Sequence, residues 1–464
     1  LFTFINNFLF SFVIDQVKLH RSLDTLTLQK LPPRWVEDHE VVHNLMFNTT
    51  TNLKVPYKQT LNRSEWWDNG VLPLWITAQD QGLKTASFFF PGGAATYRGQ
   101  KVNRVRLEEA GHPDANYTEW CQNIDTVMNW FSKEDFDLVT LYYGEPDNVG
   151  HAKGPETEDR KNIIQQIDRT IGYLRDAIKR HNLEDSLDVV ITSDHGMTTV
   201  KKRPLVDEII LNKYLNLLEL VSFEILDYGG FGVLTPQPGK EQEVFDALSN
   251  APNLTVYKKH EIPESFHLGR SERLPPIVVV ADLGFNLNSR LIIYINKGDH
   301  GFHNGEMDMK TIFRAFGPSF KKNFVSEPFD SIHIYPLLCK LLRIEPAPHN
   351  GSLEVTEAML WSGGESGFWW IRRVFCRTIE ALSLMENLLF LCRGIPGSPV
   401  LRGSAAAPAP LHRAVTDPGP DPDHALTAYL HIQQKWYRRC LNRSGDPGTR
   451  PPLIRLMSWL HDSE

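Results

Sequence analysis

Residues 187–196 have the sequence LDVVITSDHG, in which an apolar run is followed at once by a polar turn. The run is rich in β-branched side chains and predicts a buried strand over residues 187–192. Residues 136–143, FDLVTLYY, have the same character and end at the polar stretch GEPDNVGH. Because neither run alternates between apolar and polar residues, both favour the interior of a parallel sheet that is covered on two faces.

Helical patterns alternate with these strands. Residues 118–131 and 156–180 carry apolar side chains at three- and four-residue steps, so each predicts a helix with one buried face. Strands that alternate with helices are typical of βαβ units. The sequence therefore predicts an α/β fold with a mostly parallel sheet flanked by helices. Residues 200–300 are less regular and predict a smaller α+β insertion, and residues 329–344 predict a closing helix that Pro336 kinks or breaks.

The charge balance argues against a nucleic acid as the main partner. The 464 residues include 49 Lys and Arg against 56 Asp and Glu, a net charge of −7, whereas phosphate binding needs clustered cations. Neither a membrane-spanning run of about 18 apolar residues nor a signal peptide is legible. Sequons for N-glycosylation nevertheless favour secretion. They lie at Asn48, Asn62, Asn116, Asn253, Asn350 and Asn442.

Three polar turns carry candidate metal ligands. Two of them follow the predicted strands directly, where ligands gather in open α/β sheets, and the third is KGDHGFHNGEMDM. Each turn taken alone is also explained as a solvated loop, but together they favour a metal centre, because carboxylates and imidazoles are suitable zinc ligands. We interpret His303, in the third turn, as a surface histidine. The candidate ligands are Asp147, His151, Asp194, His195 and His300.

The composition changes from about Gly363 onwards. Proline and alanine accumulate, and the segments RGSAAAPAP and TDPGPDPD have no periodicity. We therefore expect residues 361–464 to form a low-complexity, disordered tail. The five cysteines of the chain show no CxxC pair, so no disulfide framework is legible from the sequence, and the odd number leaves one thiol over.

Three motifs together carry a family resemblance. EPDNVGH at 145–151, DVVITSDHGM at 188–197 and GDHGFHNGEMDMKTIFRAFGPSF at 298–320 resemble the ecto-nucleotide pyrophosphatase/phosphodiesterase family, a branch of the alkaline phosphatase superfamily. Further segments, among them WWDNGVLPLWITAQDQGL and SFFFPGG, look similar to its sphingomyelin-cleaving members. The resemblance covers roughly residues 37–360. It implies an alkaline-phosphatase-like core and a phosphodiesterase catalytic domain.

The resemblance implies a centre with two zinc ions and a threonine nucleophile that attacks the phosphodiester. By motif position, the ligands of one zinc ion match Asp147, His151 and His300. Asp194 and His195 match part of the ligand set of the second ion. The sequence thus supplies a complete set of ligands for one zinc ion and an incomplete set for the other.

The resemblance also implies a substrate, which is sphingomyelin cleaved to ceramide and phosphocholine at a membrane or micelle surface. Asn44 matches an asparagine that holds a phosphoryl oxygen. Phe223 and Phe90 match aromatic positions that enclose the choline group by cation–π attraction, whereas a further pocket tyrosine corresponds to Asp114. An extracellular location, either secreted or on the outer face of the plasma membrane, follows from the same resemblance. No protein partner is inferred.

Both ends of the chain depart from the family. The family's first strand should end in Asp-Gly with a zinc-ligating aspartate, and the nucleophilic threonine should follow in a proline-containing turn. Neither is present, and the segment FVIDQ at residues 12–16 lacks the glycine. We therefore expect a sheet without its first strand, a non-homologous segment over residues 1–36, a truncated catalytic domain over residues 37–360, and the tail described above.

Three functional interpretations remain open. The first is a zinc-dependent phosphodiesterase of the sphingomyelinase type. The second is a nucleotide pyrophosphatase or a choline-specific lysophospholipase C of the same family. The third is a catalytically inactive homologue that binds zinc and choline lipids, which the missing threonine and aspartate favour.

Overall fold

The computed structural model describes residues 34–107, 116–227, 229–292 and 295–361, together with the backbone of residues 8–14. The strands are β1 (Phe8–Ile14), β2 (Met46–Asn48), β3 (Leu53–Val55), β4 (Thr85–Phe88), β5 (Arg104–Arg106), β6 (Leu138–Tyr143), β7 (Leu187–Thr192), β8 (Thr198–Thr199), β9 (Ile209–Ile210), β10 (Val221–Ile225), β11 (Phe231–Pro236), β12 (Leu254–Lys258), β13 (Ile277–Ala281), β14 (Leu287–Asn288), β15 (Gly298–Asp299) and β16 (Phe313–Phe316). The helices are α1 (Val36–His39), α2 (Ser64–Trp67), α3 (Leu74–Asp80), α4 (Tyr117–Glu134), α5 (Asp147–Lys153), α6 (Glu158–Arg180), α7 (Leu217–Leu220), α8 (Glu241–Ser249) and α9 (Ile334–Leu342).

The main sheet has six strands in the order β16-β7-β1-β6-β4-β5. All its pairs are parallel except the edge pair of β16 with β7. The predicted α/β fold with a mostly parallel sheet is confirmed. The strand predicted over residues 187–192 coincides with β7, and the helices predicted over 118–131 and 156–180 correspond to α4 and α6.

Strand β1 lies at the centre of this sheet, so the expectation of a sheet without its first strand is wrong. Its residue Phe10 pairs with Val139 of β6 on one side and with Val189 of β7 on the other. The sequence FLFSFVI is uncharged and rich in aromatic and β-branched residues, which suits a strand paired on both edges. Asp15, which comes next, lies outside the described residues.

The stretch GEPDNVGH forms the start of helix α5, whereas we expected a turn. Gly150 N donates to Pro146 O at 2.8 Å, and Gly154 N donates to Gly150 O at 2.9 Å. On a helix, residues four apart lie on the same face. Asp147 and His151 therefore lie on one side of α5. They are close together, as we predicted, but because of a helix and not because of a turn.

Alternating residues of the central strands face two separate cores. Val139 and Val189 pack with α4 and α6 on one face, whereas Leu138 and Val190 pack with α3 and α9 on the other. This is the period of two expected of a strand covered on both sides. Each fully buried aliphatic side chain of this kind stabilises the fold by about 1.5–3 kcal/mol.

A smaller unit confirms the predicted α+β insertion. Strands β10, β11, β13 and β12 form an antiparallel sheet in this order, and α8 packs against it. The predicted closing helix is α9. Pro336 is its third residue and lies in the first turn, where the missing N–H has no partner to lose, so it neither kinks nor breaks the helix.

Some predictions concern residues that lie mostly outside the described part of the chain. Apart from Trp361, the predicted tail lies outside the described residues, and so does Asp114. Cys121 and Cys339, the described cysteines, are free thiols. Within the described part of the chain, none of the helices has both the length and the apolar character needed to cross a membrane.

Asp188 is a buried carboxyl at the second position of β7. Its Oδ1 accepts a hydrogen bond from Ser319 N at 3.0 Å, whereas its Oδ2 is buried without a hydrogen-bond partner. A Cβ on Gly317 would lie 2.3 Å from Asp188 Oδ1, so a glycine is needed for this close approach. Burial disfavours the charged form and raises the pKa of Asp188 to about 6, although the Ser319 hydrogen bond acts in the opposite direction.

We expect the substitution Asp188→Asn to flatten the pH dependence of the free energy of unfolding between about pH 4 and pH 6. The pKa of Asp188 is about 6 in the folded state against an ordinary value of 3.8. The proton on Asp188 therefore stabilises the fold at low pH, and this contribution is lost as the pH rises through 6. The loss amounts to at most about 3 kcal/mol. Urea unfolding of both proteins across this range measures it, and parallel pH profiles would contradict the assignment.

Candidate metal centre

The predicted ligands meet at the carboxyl ends of two central strands. Asp147 begins α5 after β6, Asp194 and His195 follow β7, and His300 follows β15, which pairs with β8. Parallel strands end at the same edge of a sheet, so their loops converge there. Gly196 allows this approach, because a Cβ at this position would lie 1.8 Å from the backbone oxygen of Asp308.

The geometry is centred on one oxygen atom, Asp147 Oδ1. His151 Nε2 lies 3.1 Å from it, His300 Nε2 lies 3.8 Å from it, and His195 Nε2 lies 3.9 Å from it. Asp194 Oδ1 lies 4.0 Å from His195 Nε2. The structure therefore brings all five predicted ligands into one cluster, in which His195 is as close to Asp147 as His300 is.

Backbone carbonyls determine which ring nitrogens face Asp147. His195 Nδ1 lies 2.7 Å from Gly196 O, and His151 Nδ1 lies 2.9 Å from Gly298 O. A carbonyl can only accept, so in each pair the imidazole Nδ1 donates its proton. Nε2 of each ring therefore faces Asp147 and is the nitrogen that would exchange its proton for a metal ion.

Electrostatics favour an ionised Asp147. Desolvation opposes the charge, but the neighbouring histidines, His151 above all, outweigh it and hold the pKa of Asp147 below its ordinary value. Burial alone would lower the pKa of His151, whereas Asp147 and Asp299 raise it to about 9. Burial, together with the neighbouring imidazole of His195, lowers the pKa of His300 well below its ordinary value.

The donor set fits a divalent metal ion. Asp147 Oδ1 is buried without a hydrogen-bond partner, although imidazole nitrogens surround it. Such an atom is costly unless a cation satisfies it. A mixed set of carboxylate and imidazole ligands is suited to zinc.

Asp299 belongs to this region and was not among the predicted ligands. Together with His151 and His300 it forms a second group whose ligand atoms lie within 4.8 Å of one another. A signal for it was present in the sequence, because the triplet Asp-His-Gly occurs both at 194–196 and at 299–301.

The other predicted site residues lie in different surroundings. Asn44 is half-buried and follows His43, whose imidazole acts on the pKa of His300, so this segment lies near the cluster. Phe223 is 4% exposed and packs at 5.4 Å against Phe47. Phe90 is 7% exposed and packs edge-on against Trp75, in a hydrophobic core. The roles of these residues in substrate binding stay predictions.

Comparisons with known proteins agree with this geometry. Residues 34–303 match the family described as type I phosphodiesterase / nucleotide pyrophosphatase. The chain is 50% identical to ectonucleotide pyrophosphatase/phosphodiesterase family member 7 of Mus musculus over 335 residues, which are 72% of this chain and 76% of the relative. It is likewise 50% identical to family member 7 of Homo sapiens over 329 residues, 70% of this chain and 72% of the relative.

A solved structure shows the same fold. Murine ectonucleotide pyrophosphatase/phosphodiesterase 5 matches with a TM-score of 0.68 at 30% identity, over 76% of this chain and all of that one. The likeness confirms the alkaline-phosphatase-like core. Since the family match spans more than half of the chain and relatives at 50% identity are covered over most of their length, the chain belongs to the type I phosphodiesterase/nucleotide pyrophosphatase family.

Proposed function

We propose that this protein is a zinc-dependent phosphodiesterase that cleaves sphingomyelin to ceramide and phosphocholine. The observation that carries the proposal is the buried Asp147 Oδ1 among three imidazole nitrogens. Family membership supports hydrolysis of phosphoric diesters as the class of reaction. The choice of sphingomyelin rests on the segments that resemble the sphingomyelin-cleaving members.

In this proposal Asp147, His151 and His300 hold one zinc ion, and Asp194 and His195 contribute to the second. Zinc would polarise a phosphoryl oxygen and lower the pKa of an attacking oxygen. The protein's own contribution is orientation, since the carbonyls behind His151 and His195 fix both rings.

Two further groups would act on the substrate. The side-chain amide of Asn44 can donate to a phosphoryl oxygen, and a fixed donor of this kind stabilises charge as it develops. The face of the Phe223 ring is accessible to a cation, because Lys54 Nζ lies 5.2 Å from its centroid. In this proposal the trimethylammonium of choline takes the place of the Lys54 ammonium over the ring. The same proposal locates the protein outside the cell, at a membrane or micelle surface.

A second candidate function is binding of choline lipids without turnover. The observation that favours it is the lack of a threonine in a proline-containing turn where the family carries its nucleophile. This candidate keeps the metal centre and the aromatic pocket, and it differs from the first only in the chemical step.

An assay with three substrates distinguishes the two candidate functions. We expect hydrolysis of sphingomyelin to exceed that of lysophosphatidylcholine and of a nucleotide diester, and we expect a chelator to abolish it until zinc is restored. Release of phosphocholine is the measurement. Preferred cleavage of the nucleotide diester would assign a nucleotide pyrophosphatase. Saturable lipid binding without any release would establish the binding function instead.

Asp147→Asn tests the metal centre independently of turnover. We expect zinc affinity to fall by more than the roughly 10–100-fold that follows loss of an outer partner of a metal ligand, because this oxygen lies at the centre of the cluster. Competition with a chromophoric chelator measures the affinity. Asp188→Asn, which also neutralises a buried carboxyl but lies in the body of the sheet, is the matched control. Equal affinities for the two variants would disprove the assignment.

Phe223→Leu tests the choline pocket. A cation–π contact stabilises binding by about 0.5–2 kcal/mol, so phosphocholine affinity should fall about 2- to 30-fold, while Phe223→Tyr should retain it. Calorimetry with phosphocholine provides the measurement and requires no turnover. Phe266→Leu, a substitution of another buried aromatic in the same hydrophobic cluster, serves as the comparison, and an equal loss for both leucine variants would indicate a packing defect and not a lost cation–π contact.

A further inference from the structure

Residues 296–299 line the side of His151 that faces away from Asp147. The Nδ1 atom of His151 lies 2.9 Å from Gly298 O, to which it donates. The side-chain amide nitrogen of Asn296 lies beside the same ring nitrogen at 2.6 Å and donates to Asp299 Oδ2 at 3.4 Å. An oxygen of the Asp299 carboxylate lies 3.7 Å from His151 Nδ1. Polar groups of one short segment thus surround the ring nitrogen that does not face the other ligands.

This segment packs directly on the backbone of helix α5. A Cβ on Gly298 would lie 2.5 Å from Gly150 O, and Lys297 N donates to His151 O at 2.8 Å. Helix α5, which carries His151, is therefore fixed against strand β15, which carries Asp299. The distance between these two side chains is set by backbone contacts.

Both oxygens of Asp299 are held in place. Its Oδ2 accepts from Asn286 Nδ2 at 2.7 Å, and its Oδ1 accepts from the backbone N–H of His300 at 2.9 Å. The side chain is 4% exposed, and a Cβ on Gly229 would lie 3.0 Å from Oδ1. Among the residues that the structure describes, His151 is the one basic side chain paired with this carboxylate.

We propose that Asp299 is a positioning residue for metal binding that acts through His151. The inference rests on the proposed function, because it requires that the centre bind zinc. The Asp299 carboxyl and Gly298 O both face Nδ1 of His151, so this nitrogen keeps its proton and donates a hydrogen bond to Gly298 O. Nε2 is then the nitrogen left to bind the metal ion, and the ring is held against rotation.

The arrangement around His195 supports this role. In each Asp-His-Gly triplet the aspartate Oδ1 accepts from the N–H of the following histidine, at 3.1 Å for Asp194 and at 2.9 Å for Asp299. The two triplets thus share the local geometry that orients the histidine. Asp194 also lies near His195 Nε2 within the cluster, whereas Asp299 faces the outer side of His151.

The test compares zinc affinities of metal-free proteins by competition with a chromophoric chelator. We expect Asp299→Asn to bind zinc about 10- to 100-fold more weakly than the wild type. The visible spectrum of the cobalt-loaded protein should change as well, because it reports the ligand geometry. Asp188→Asn is the matched control and should keep both the affinity and the spectrum of the wild type.

A double-mutant cycle with His151 separates positioning from general damage. In the His151→Ala background, Asp299→Asn should cost little further affinity, because the imidazole through which it acts is gone. If Asp299→Asn does not fold, Asn286→Ala releases one anchor of the same carboxylate and should weaken zinc binding by a smaller factor. An unchanged affinity in the variants, or an equal loss with and without His151, would overturn the inference. A wild-type protein that binds no zinc would overturn the proposed function instead.

Discussion

A carboxylate oxygen that is buried away from water needs a positive charge beside it, and this requirement of Asp147 determines how the residues around it are arranged. The oxygen has no hydrogen-bond donor of its own, and imidazole nitrogens from three different segments surround it. Carbonyl groups behind two of these rings accept from Nδ1 and so direct Nε2 inward. The cluster is therefore pre-organised for a cation, since carbonyl groups of the scaffold hold two of its ligands in place.

The fold holds the ligands in place where two backbone segments approach each other closely. Gly196 touches the backbone of residues 308 and 309, and Gly298 touches the backbone of helix α5. In both places a single Cβ would displace a segment that bears a ligand. The positions of the ligands thus depend on contacts between main chains, which are far less adjustable than contacts between flexible side chains.

The sequence predicted the parts of the structure that depend on local patterns. Strand β7 and helix α6 follow from hydrophobic periodicity, and the five clustered ligands follow from polar turns after strands. Strand β1 was not predicted, because the segment lacks the glycine that follows the family's first strand, although its apolar run is typical of a buried strand. The role of Pro336 depended on where α9 begins, which periodicity does not define to within a residue.

Asp299 shows a different limit of prediction. Its place depends on Gly298 packing against Gly150, a contact between segments far apart in the chain. No local pattern encodes such a contact, although the repeated Asp-His-Gly triplet marks the position. Likewise, the burial of Phe90 against Trp75 follows from tertiary packing alone.

The central place of β1 has a consequence for how the chain folds. Leu9 pairs with Leu138, and Phe8 pairs with Leu187, so the middle of the sheet joins residues that leave the ribosome far apart in time. Pairing at such long range is slow, because loop closure costs entropy before the contacts form. Until β1 inserts, β6 and β7 each present an unpaired edge, and such edges readily pair with other chains. A chain in which β1 has not yet paired is therefore more exposed to aggregation than the folded protein.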